Sequence, residues 1–145
     1  MPPPATPPGP HSPKRIVAGI LRRDGKILIC QRARTQVQAL RWEFPGGKLE
    51  AGESETAALV RELREELGVD AEIGTLVQRT RYRYSETGWL DLAFYDVTAW
   101  VGEPVNRVFE QVRWVQREEM KAFDFLEADR PLLTLLLAQD ETCLS

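Results

Sequence analysis

Residues 46–69 read GGKLEAGESETAALVRELREELGV, and this stretch predicts the central helix of the fold. Leu59, Leu63 and Leu67 recur every four residues, so they share one face of a helix and form a ridge that packs into a core. Gly68 follows directly and is a residue type that commonly ends helices. The stretch therefore predicts a glycine-rich loop that leads into a core-facing helix.

Three glutamates lie on the neighbouring face of this helix. Glu62, Glu65 and Glu66 stand at i, i+3 and i+4, and like charges one turn apart destabilise a helix. A solvated acidic surface is one interpretation. The other is a hard divalent cation such as Mg²⁺, which prefers oxygen ligands. The Gly46–Gly47 turn would let a backbone carbonyl reach the same ion, because glycine has no Cβ.

Strands are predicted on both sides of this helix. Two apolar runs, 15–23 and 26–31, flank Asp24–Gly25, which is typical of a tight hairpin turn. Residues 32–52 contain turn formers, and Pro45-Gly46-Gly47 predicts a flexible loop rather than a regular element. Three further strands and a terminal helix are predicted at 71–84, 89–101, 110–115 and from about Pro131. Interspersed strands and helices favour a mixed sheet covered by helices.

Composition limits the classes of function. A chain of 145 residues with 43% hydrophobic residues suits one domain, and a net charge of −3 gives no general attraction for polynucleotides. Cys30 and Cys143 have neither disulfide-framework nor metal-ligand spacing. The absence of a long apolar stretch and of a secretory signal predicts a cytoplasmic protein with no membrane partner.

The chain is expected to divide into three segments. The first residues, MPPPATPPGPHSP, cannot bury enough apolar area to become ordered, so we expect a disordered proline-rich arm at 1–14. A single domain is expected at 15–140 and a flexible tail at 141–145. The only histidine, His11, lies in the arm, which argues against a histidine general base.

The helical stretch resembles the Nudix box, G-x5-E-x7-R-E-U-x-E-E-x-G-U, where U is aliphatic. The match has no gap and covers nine fixed positions over 23 residues, which makes chance agreement negligible. The matching residues are Gly47, Glu53, Arg61, Glu62, Leu63, Glu65, Glu66, Gly68 and Val69.

This resemblance implies a fold and a chemistry. The implied fold is α/β, an α/β/α sandwich around a mixed β-sheet, and the implied activity is hydrolysis of a pyrophosphate bond with Mg²⁺ or Mn²⁺. The resemblance implies that Glu62, Glu65 and Glu66 are metal ligands and that the Gly46 carbonyl is a further ligand. A glutamate of the box is one of the two candidates for the general base. Four other box residues would be structural, namely Gly47, Gly68, Glu53 and Arg61. Glu53 and Arg61 would form an ion pair.

In related enzymes the base is either a box glutamate or a glutamate from a later loop. Glu110 opens the segment EQVRWV and is our candidate for that second catalytic or metal-binding position. An exposed loop glutamate is the alternative interpretation.

The flanking residues resemble the MutT-like branch, which hydrolyses nucleoside triphosphates to monophosphate and pyrophosphate. The resemblance includes QRA at 31–33 and WEFPGGK at 42–48, and extends from about Arg15 to Leu137. It implies that Arg32 contacts phosphate, with Lys48 assisting. Trp42 and Phe44 are interpreted chiefly as packing residues. We expect a nucleotide substrate, and either a monomer or a homodimer.

Asp129 is the candidate for reading the base. Enzymes of this branch that select 8-oxo-dGTP carry asparagine in an A-N-x-P context, where this chain has Ala128, Asp129, Arg130 and Pro131. An ionised aspartate would accept a hydrogen bond from the amine of cytosine or from N1 and N2 of guanine. Asp129 is also placed to cap the helix that begins near Pro131. The two roles are compatible.

Two other functions remain open. One is hydrolysis of ADP-sugars or dinucleotides, although the region after the box, GTLVQRTRYRYSETGW, lacks the proline-containing signatures of those enzymes. The other is a non-catalytic nucleotide sensor, a class that typically loses the box carboxylates retained here. Tyr82 and Tyr84 alternate with arginines, and the two interpretations are plain strand surface and side chains that stack on or bind a nucleotide.

Overall fold

The computed structural model describes residues 13–139, which form a mixed seven-stranded sheet and two α-helices. The strand order is β3-β2-β1-β6-β5, with β4 paired to β1 and β7 paired to β2. β1 runs parallel to β6, and the other pairs are antiparallel. The strands are β1 Lys14–Arg23, β2 Lys26–Gln31, β3 Trp42–Glu43, β4 Gly46–Lys48, β5 Asp70–Arg83, β6 Trp89–Val101 and β7 Gln111–Val115. The helices are α1 Glu55–Leu67 and α2 Arg130–Ala138, with 3₁₀ turns at Arg117–Ala122 and Glu127–Asp129.

Strand β1 is the centre of the sheet, and both of its faces are buried. Val17 and Leu21 pack against the leucine ridge of α1 on one face. Ile20 on the other face belongs to a second core cluster with Leu132 and Leu136 of α2. The sheet is therefore covered on both sides, and the expected α/β/α sandwich is confirmed.

The predicted hairpin and helix are present at the predicted residues. Asp24 and Gly25 have φ values of 55° and 78° and connect β1 to β2, as Asp-Gly turns do. In α1, the Ser54 side chain accepts a hydrogen bond from the Ala57 amide at the start, and Gly68 ends the helix with φ 70°. β1 begins at Lys14, one residue before the predicted start of the domain.

The prediction of an irregular loop at Pro45-Gly46-Gly47 is wrong. Gly46–Lys48 forms strand β4 and pairs with Ile16–Ala18 of β1. A Cβ on Gly46 would clash with the Val17 carbonyl oxygen, so glycine is what allows this close approach. The same glycines that suggested a flexible loop thus fix the segment to the core sheet.

Several predictions fall on residues that the structure does not describe. The proline-rich arm up to residue 12, His11, Cys143 and the tail from residue 140 lie outside the described part. Within residues 13–139, neither α-helix is long and apolar enough to cross a membrane.

Candidate active site

A cavity of about 620 Å³ opens where α1, β4 and the segment before α2 meet, and its size falls in the usual range for small-molecule sites. Its polar lining comes from distant parts of the sequence, which shows that the fold assembles it. The ionisable residues that bear on its chemistry are Arg32, Glu43, Lys48, Glu62, Glu66 and Asp129.

Two glycines bring strand β4 against the glutamates of α1. The Gly46 amide donates a hydrogen bond to Oε1 of Glu66, with a distance of 3.1 Å. A Cβ on Gly47 would collide with the carboxylate of Glu62. The Gly46–Gly47 backbone and both carboxylates therefore share one corner of the cavity.

The electrostatics of this corner favour a bound cation. Burial raises the pKa of Glu66 to about 9, and the neighbouring charges of Glu62 and Glu43 add to the effect. Burial also raises the pKa of Glu62. Two carboxylates this close cannot both ionise at low cost unless a positive charge lies between them.

The donor set fits a hard divalent ion, because all the available donors are oxygen atoms. Among residues 13–139, no three acidic, histidine or cysteine side chains converge into a complete metal site. Mg²⁺ ordinarily takes only one or two protein carboxylates and keeps water and substrate phosphates as its other ligands. An incomplete protein set is therefore compatible with such an ion.

Glu65 lies apart from the other two box glutamates. Its side chain is 57% exposed and its Oε1 is 3.3 Å from Nη1 of Arg61. Glu65 is absent from the cavity lining. The structure thus brings Glu62 and Glu66 together and leaves Glu65 on the surface beside Arg61.

The structure contains the ion pair predicted between Glu53 and Arg61. Two hydrogen bonds of 2.6 and 2.9 Å join the guanidinium to the carboxylate, and Arg61 also donates to the Lys48 carbonyl over 3.1 Å. The Arg61 hydrogen bond lowers the pKa of Glu53 to about 2. This pair ties the loop after β4 to α1.

Glu110 is not brought into the cavity. Its carboxylate lies 3.3 Å from Nε of Arg34, whereas the preceding Val108 and Phe109 line the cavity. A role for Glu110 in metal binding would therefore require its side chain to leave Arg34.

Arg32 does line the cavity, and its guanidinium is held on two sides. Nε donates to the Val37 carbonyl over 2.8 Å, and Nη1 donates to Oε1 of Glu43 over 3.1 Å. Lys48 also lines the cavity. Arg32 and Lys48 thus lie within the same enclosure as the carboxylates.

Asp129 occupies the position before α2, but its side chain makes no capping hydrogen bond. Instead, Oδ2 accepts a hydrogen bond of 3.1 Å from the Phe44 amide. Asp129 is only 5% exposed. Burial, with a contribution from the charge of Glu43, raises its pKa to about 8. The carboxyl group therefore keeps its proton to a higher pH than an exposed aspartic acid does, and the protonated form carries an O–H donor.

Sequence reasoning missed Glu43 and left the role of the two tyrosines open. Burial raises the pKa of Glu43, which faces the cavity. Tyr82 and Tyr84 also line the cavity, rather than lying only on the strand surface. A charged residue between Trp42 and Phe44 was the available signal for Glu43.

Comparison with known proteins agrees with this geometry. Residues 11–136 match the family described as NUDIX domain. The chain is 39% identical over 124 residues to the 8-oxo-dGTP diphosphatase of Haemophilus influenzae, covering 85% of this chain and 90% of the relative. It is 40% identical over 123 residues to the CTP pyrophosphohydrolase of Escherichia coli, with the same coverage of 85% and 90%.

Solved structures give the same result. The solution structure of the E. coli ORF135 protein superposes with a TM-score of 0.80 at 39% identity, covering 91% of this chain and 94% of that one. A MutT structure from work on the Aliivibrio salmonicida and Vibrio cholerae proteins superposes with a TM-score of 0.75 at 35% identity, covering 89% and 100%. With Gly47, Glu62 and Glu66 of the box at one cavity, this chain belongs to the Nudix hydrolase family, in the MutT-like branch.

Proposed function

We propose that this protein hydrolyses nucleoside or deoxynucleoside triphosphates to the monophosphate and pyrophosphate, using a divalent cation. The observation that carries the proposal is the paired, half-buried carboxylates of Glu62 and Glu66 beside the Gly46 backbone. They open into a cavity that also contains Arg32 and Lys48. Anionic oxygens for a metal and cations for phosphate are what a phosphoanhydride substrate requires.

Different residues of the cavity would bind the metal, bind the phosphates and accept the proton. Glu62 and Glu66, with Glu65 and the Gly46 carbonyl as further ligands, would hold Mg²⁺ or Mn²⁺. Such an ion neutralises phosphate charge and lowers the pKa of bound water. Arg32 would bind a phosphate through its fork of donors, with Lys48 as a second cation. A box glutamate, or Glu110 after release from Arg34, would accept the proton of the attacking water.

Base recognition is assigned to the inner end of the cavity, where Phe44 and Asp129 lie. Ionised Asp129 accepts from an exocyclic amine, whereas the protonated form donates to a ring nitrogen or carbonyl. Because its pKa is about 8, both forms are accessible near neutral pH. The relatives' names, 8-oxo-dGTP diphosphatase and CTP pyrophosphohydrolase, make oxidised guanine and cytidine triphosphates the candidates to test first.

The direct test is product analysis with a nucleotide panel. The protein is incubated with Mg²⁺ and 8-oxo-dGTP, dCTP, CTP or 5-substituted cytidine triphosphates, and the products are resolved by chromatography. We expect monophosphate and pyrophosphate in equal amounts. Release of single phosphates would contradict the proposal, and cleavage of ADP-ribose or dinucleotides alone would favour the alternative hydrolase.

Metal binding has a readout that does not need turnover. Mg²⁺ or Mn²⁺ is expected to raise the thermal midpoint of the wild type, because a ligand that binds only the folded state stabilises it. Glu66→Gln should remove most of that increase. A silent nucleotide panel combined with a normal metal response would indicate a nucleotide sensor.

A further inference from the structure

The loop between β2 and β3 forms one side of the cavity, and few apolar contacts hold it. Its ends are joined by two backbone hydrogen bonds, from the Arg32 amide to the Arg41 carbonyl over 2.8 Å and from the Leu40 amide to the Arg32 carbonyl over 3.0 Å. Gln38 and Leu40 have positive φ values of 58° and 67°, which cost energy in residues with a side chain. Val37 at the tip is 81% exposed.

The Arg32 side chain fills the inside of this loop. Its Nε donates to the Val37 carbonyl over 2.8 Å, so the base of the loop is tied to its tip. Gln36, Val37 and Gln38 all line the cavity. The position of the guanidinium therefore decides how the loop faces a bound substrate.

Glu43 holds the other side of the same guanidinium, over 3.1 Å. It belongs to β3, where it pairs with the fully buried Cys30 of β2, so its backbone is part of the rigid sheet. Nη2 of Arg32 has no acceptor among the described residues, which leaves this amino group available to a ligand. The carboxylate itself repels phosphate, so its place in the cavity calls for a role through Arg32.

We propose that Glu43 is a positioning residue that fixes the Arg32 guanidinium, and through it loop 33–41, in the orientation that binds the substrate's phosphates. This inference rests on the proposed function. It predicts that Glu43 acts as a hydrogen-bond acceptor for Arg32 and makes no contribution to the chemical step. Loss of Glu43 should then weaken substrate binding and loosen the loop together.

Kinetics test the first consequence. Glu43→Ala is expected to raise KM about tenfold, the size of one hydrogen bond to a charged group, with kcat nearly unchanged. Glu43→Gln keeps an acceptor oxygen and should restore most of the affinity. In an Arg32→Ala background, Glu43→Ala should have almost no further effect, because both changes remove the same interaction.

Three kinetic results would overturn the proposal. The first is a KM of Glu43→Gln as high as that of Glu43→Ala. The second is additive effects on KM in the double variant with Arg32→Ala. The third is a fall in kcat of Glu43→Ala with an unchanged KM. Glu118→Ala is the matched control, since Glu118 is an exposed glutamate outside the cavity. It should leave both constants unchanged.

Limited trypsin digestion tests the second consequence without any turnover. Arg34 lies in the loop with its side chain 73% exposed, and cleavage after it requires the loop to open. Glu43→Ala should accelerate this cleavage several-fold, and Glu43→Gln should leave it at the wild-type rate, as followed by mass spectrometry. Equal rates in the Ala variant and the wild type would overturn the proposal.

The two arms separate failure of this inference from failure of the proposed function. If the wild type hydrolyses no triphosphate, the proposed function fails, while the proteolysis arm still decides whether Glu43 holds the loop. Arg32→Ala removes the same hydrogen bond by deleting its donor. This variant replaces Glu43→Ala in the test if Glu43→Ala does not fold. An unchanged rate of cleavage after Arg34 in Arg32→Ala would also overturn the proposal.

Discussion

Glu55 and Glu66 are the same residue type near opposite ends of α1, and they differ in the charges that surround them. Glu55 accepts hydrogen bonds from Arg79, Tyr95 and Arg15, and the Arg79 hydrogen bond is the main cause that lowers its pKa to about 2. Glu66 is half-buried beside another carboxylate, and its pKa rises to about 9.

We propose that this difference separates a structural carboxylate from a metal-binding one. At Glu55 the folded protein itself supplies the opposing charges, so the ionised side chain stabilises the fold. At Glu66 no cationic side chain forms an ion pair within residues 13–139, so the ionised form is unfavourable without a bound cation. An unbalanced buried charge in a cavity indicates a binding or catalytic site.

The largest effect on activity is expected at Glu66, near the end of α1. Glu66→Gln should lower kcat/KM about 10²- to 10³-fold, comparable with the loss of one preorganised electrostatic contact. The variant should fold normally, since a neutral amide relieves repulsion with Glu62. Steady-state kinetics with Mg²⁺ measure the loss, and Glu55→Gln is the control that should keep activity. Equal losses in the two variants would remove the distinction.

Glu65 tests whether exposure or box position decides function. Its carboxylate is on Arg61 rather than in the cavity, so it would have to swing inward to join a metal. We expect Glu65→Gln to lower kcat/KM about 10- to 100-fold, the range seen for residues that support metal ligands. A loss as large as that of Glu66→Gln would mean that the metal-bound site includes Glu65 as an equal ligand.

Asp129 resembles Glu66, because its pKa is also raised by burial. Asp129→Asn keeps the shape but always presents an amide, which both donates and accepts. We expect the ranking of nucleotides to change by about tenfold in kcat/KM, the size of one altered hydrogen bond to the base. Competition between 8-oxo-dGTP and dCTP measures this. A uniform fall for every nucleotide would make Asp129 a structural residue.

The smallest effect is expected at Glu55, and it is an effect on stability. The pKa of Glu55 is about 2 in the folded protein, below its ordinary value of 4.5, so its contribution to stability is present above pH 4.5. It is lost as the pH falls from 4.5 towards 2. Glu55→Gln should cost about 1 kcal/mol or less, since Arg15 and Arg79 are half exposed.

Urea unfolding at pH 7 and pH 3 measures this contribution. The difference between the wild type and Glu55→Gln should be larger at pH 7 than at pH 3. A difference that does not depend on pH would assign the role of Glu55 to packing instead of charge.

Local pattern was enough to predict most elements of the fold. Leucines spaced by four residues and Gly68 predict α1, and Asp24-Gly25 predicts the first hairpin, because these signals lie within a few residues of one another. Strand β4 was missed since its partner, β1, is some thirty residues away. Two glycines in a row give no local indication that they will pair with a central strand.

The site was predicted in part, for a geometric reason. Successive helix residues are about 100° apart, so Glu65 and Glu66 point in clearly different directions although both are close to Glu62. Which of them faces the cavity depends on where β4 lies. The partners of Glu110 and Asp129, which are Arg34 and the Phe44 amide, are likewise distant in sequence and could not be read from it.

The pairing of β4 with β1 has a consequence for which parts of the protein open locally to solvent. Gly46–Lys48 is a ladder of the central sheet, so amide hydrogens there should exchange with solvent at a rate set by opening of the whole sheet. Residues 34–40 of loop 33–41 are exposed, and amide hydrogens there should exchange by local fluctuation. Nucleotides would thus enter and leave past the mobile loop 33–41, while strand β4, which would contribute a ligand to the ion, stays rigid.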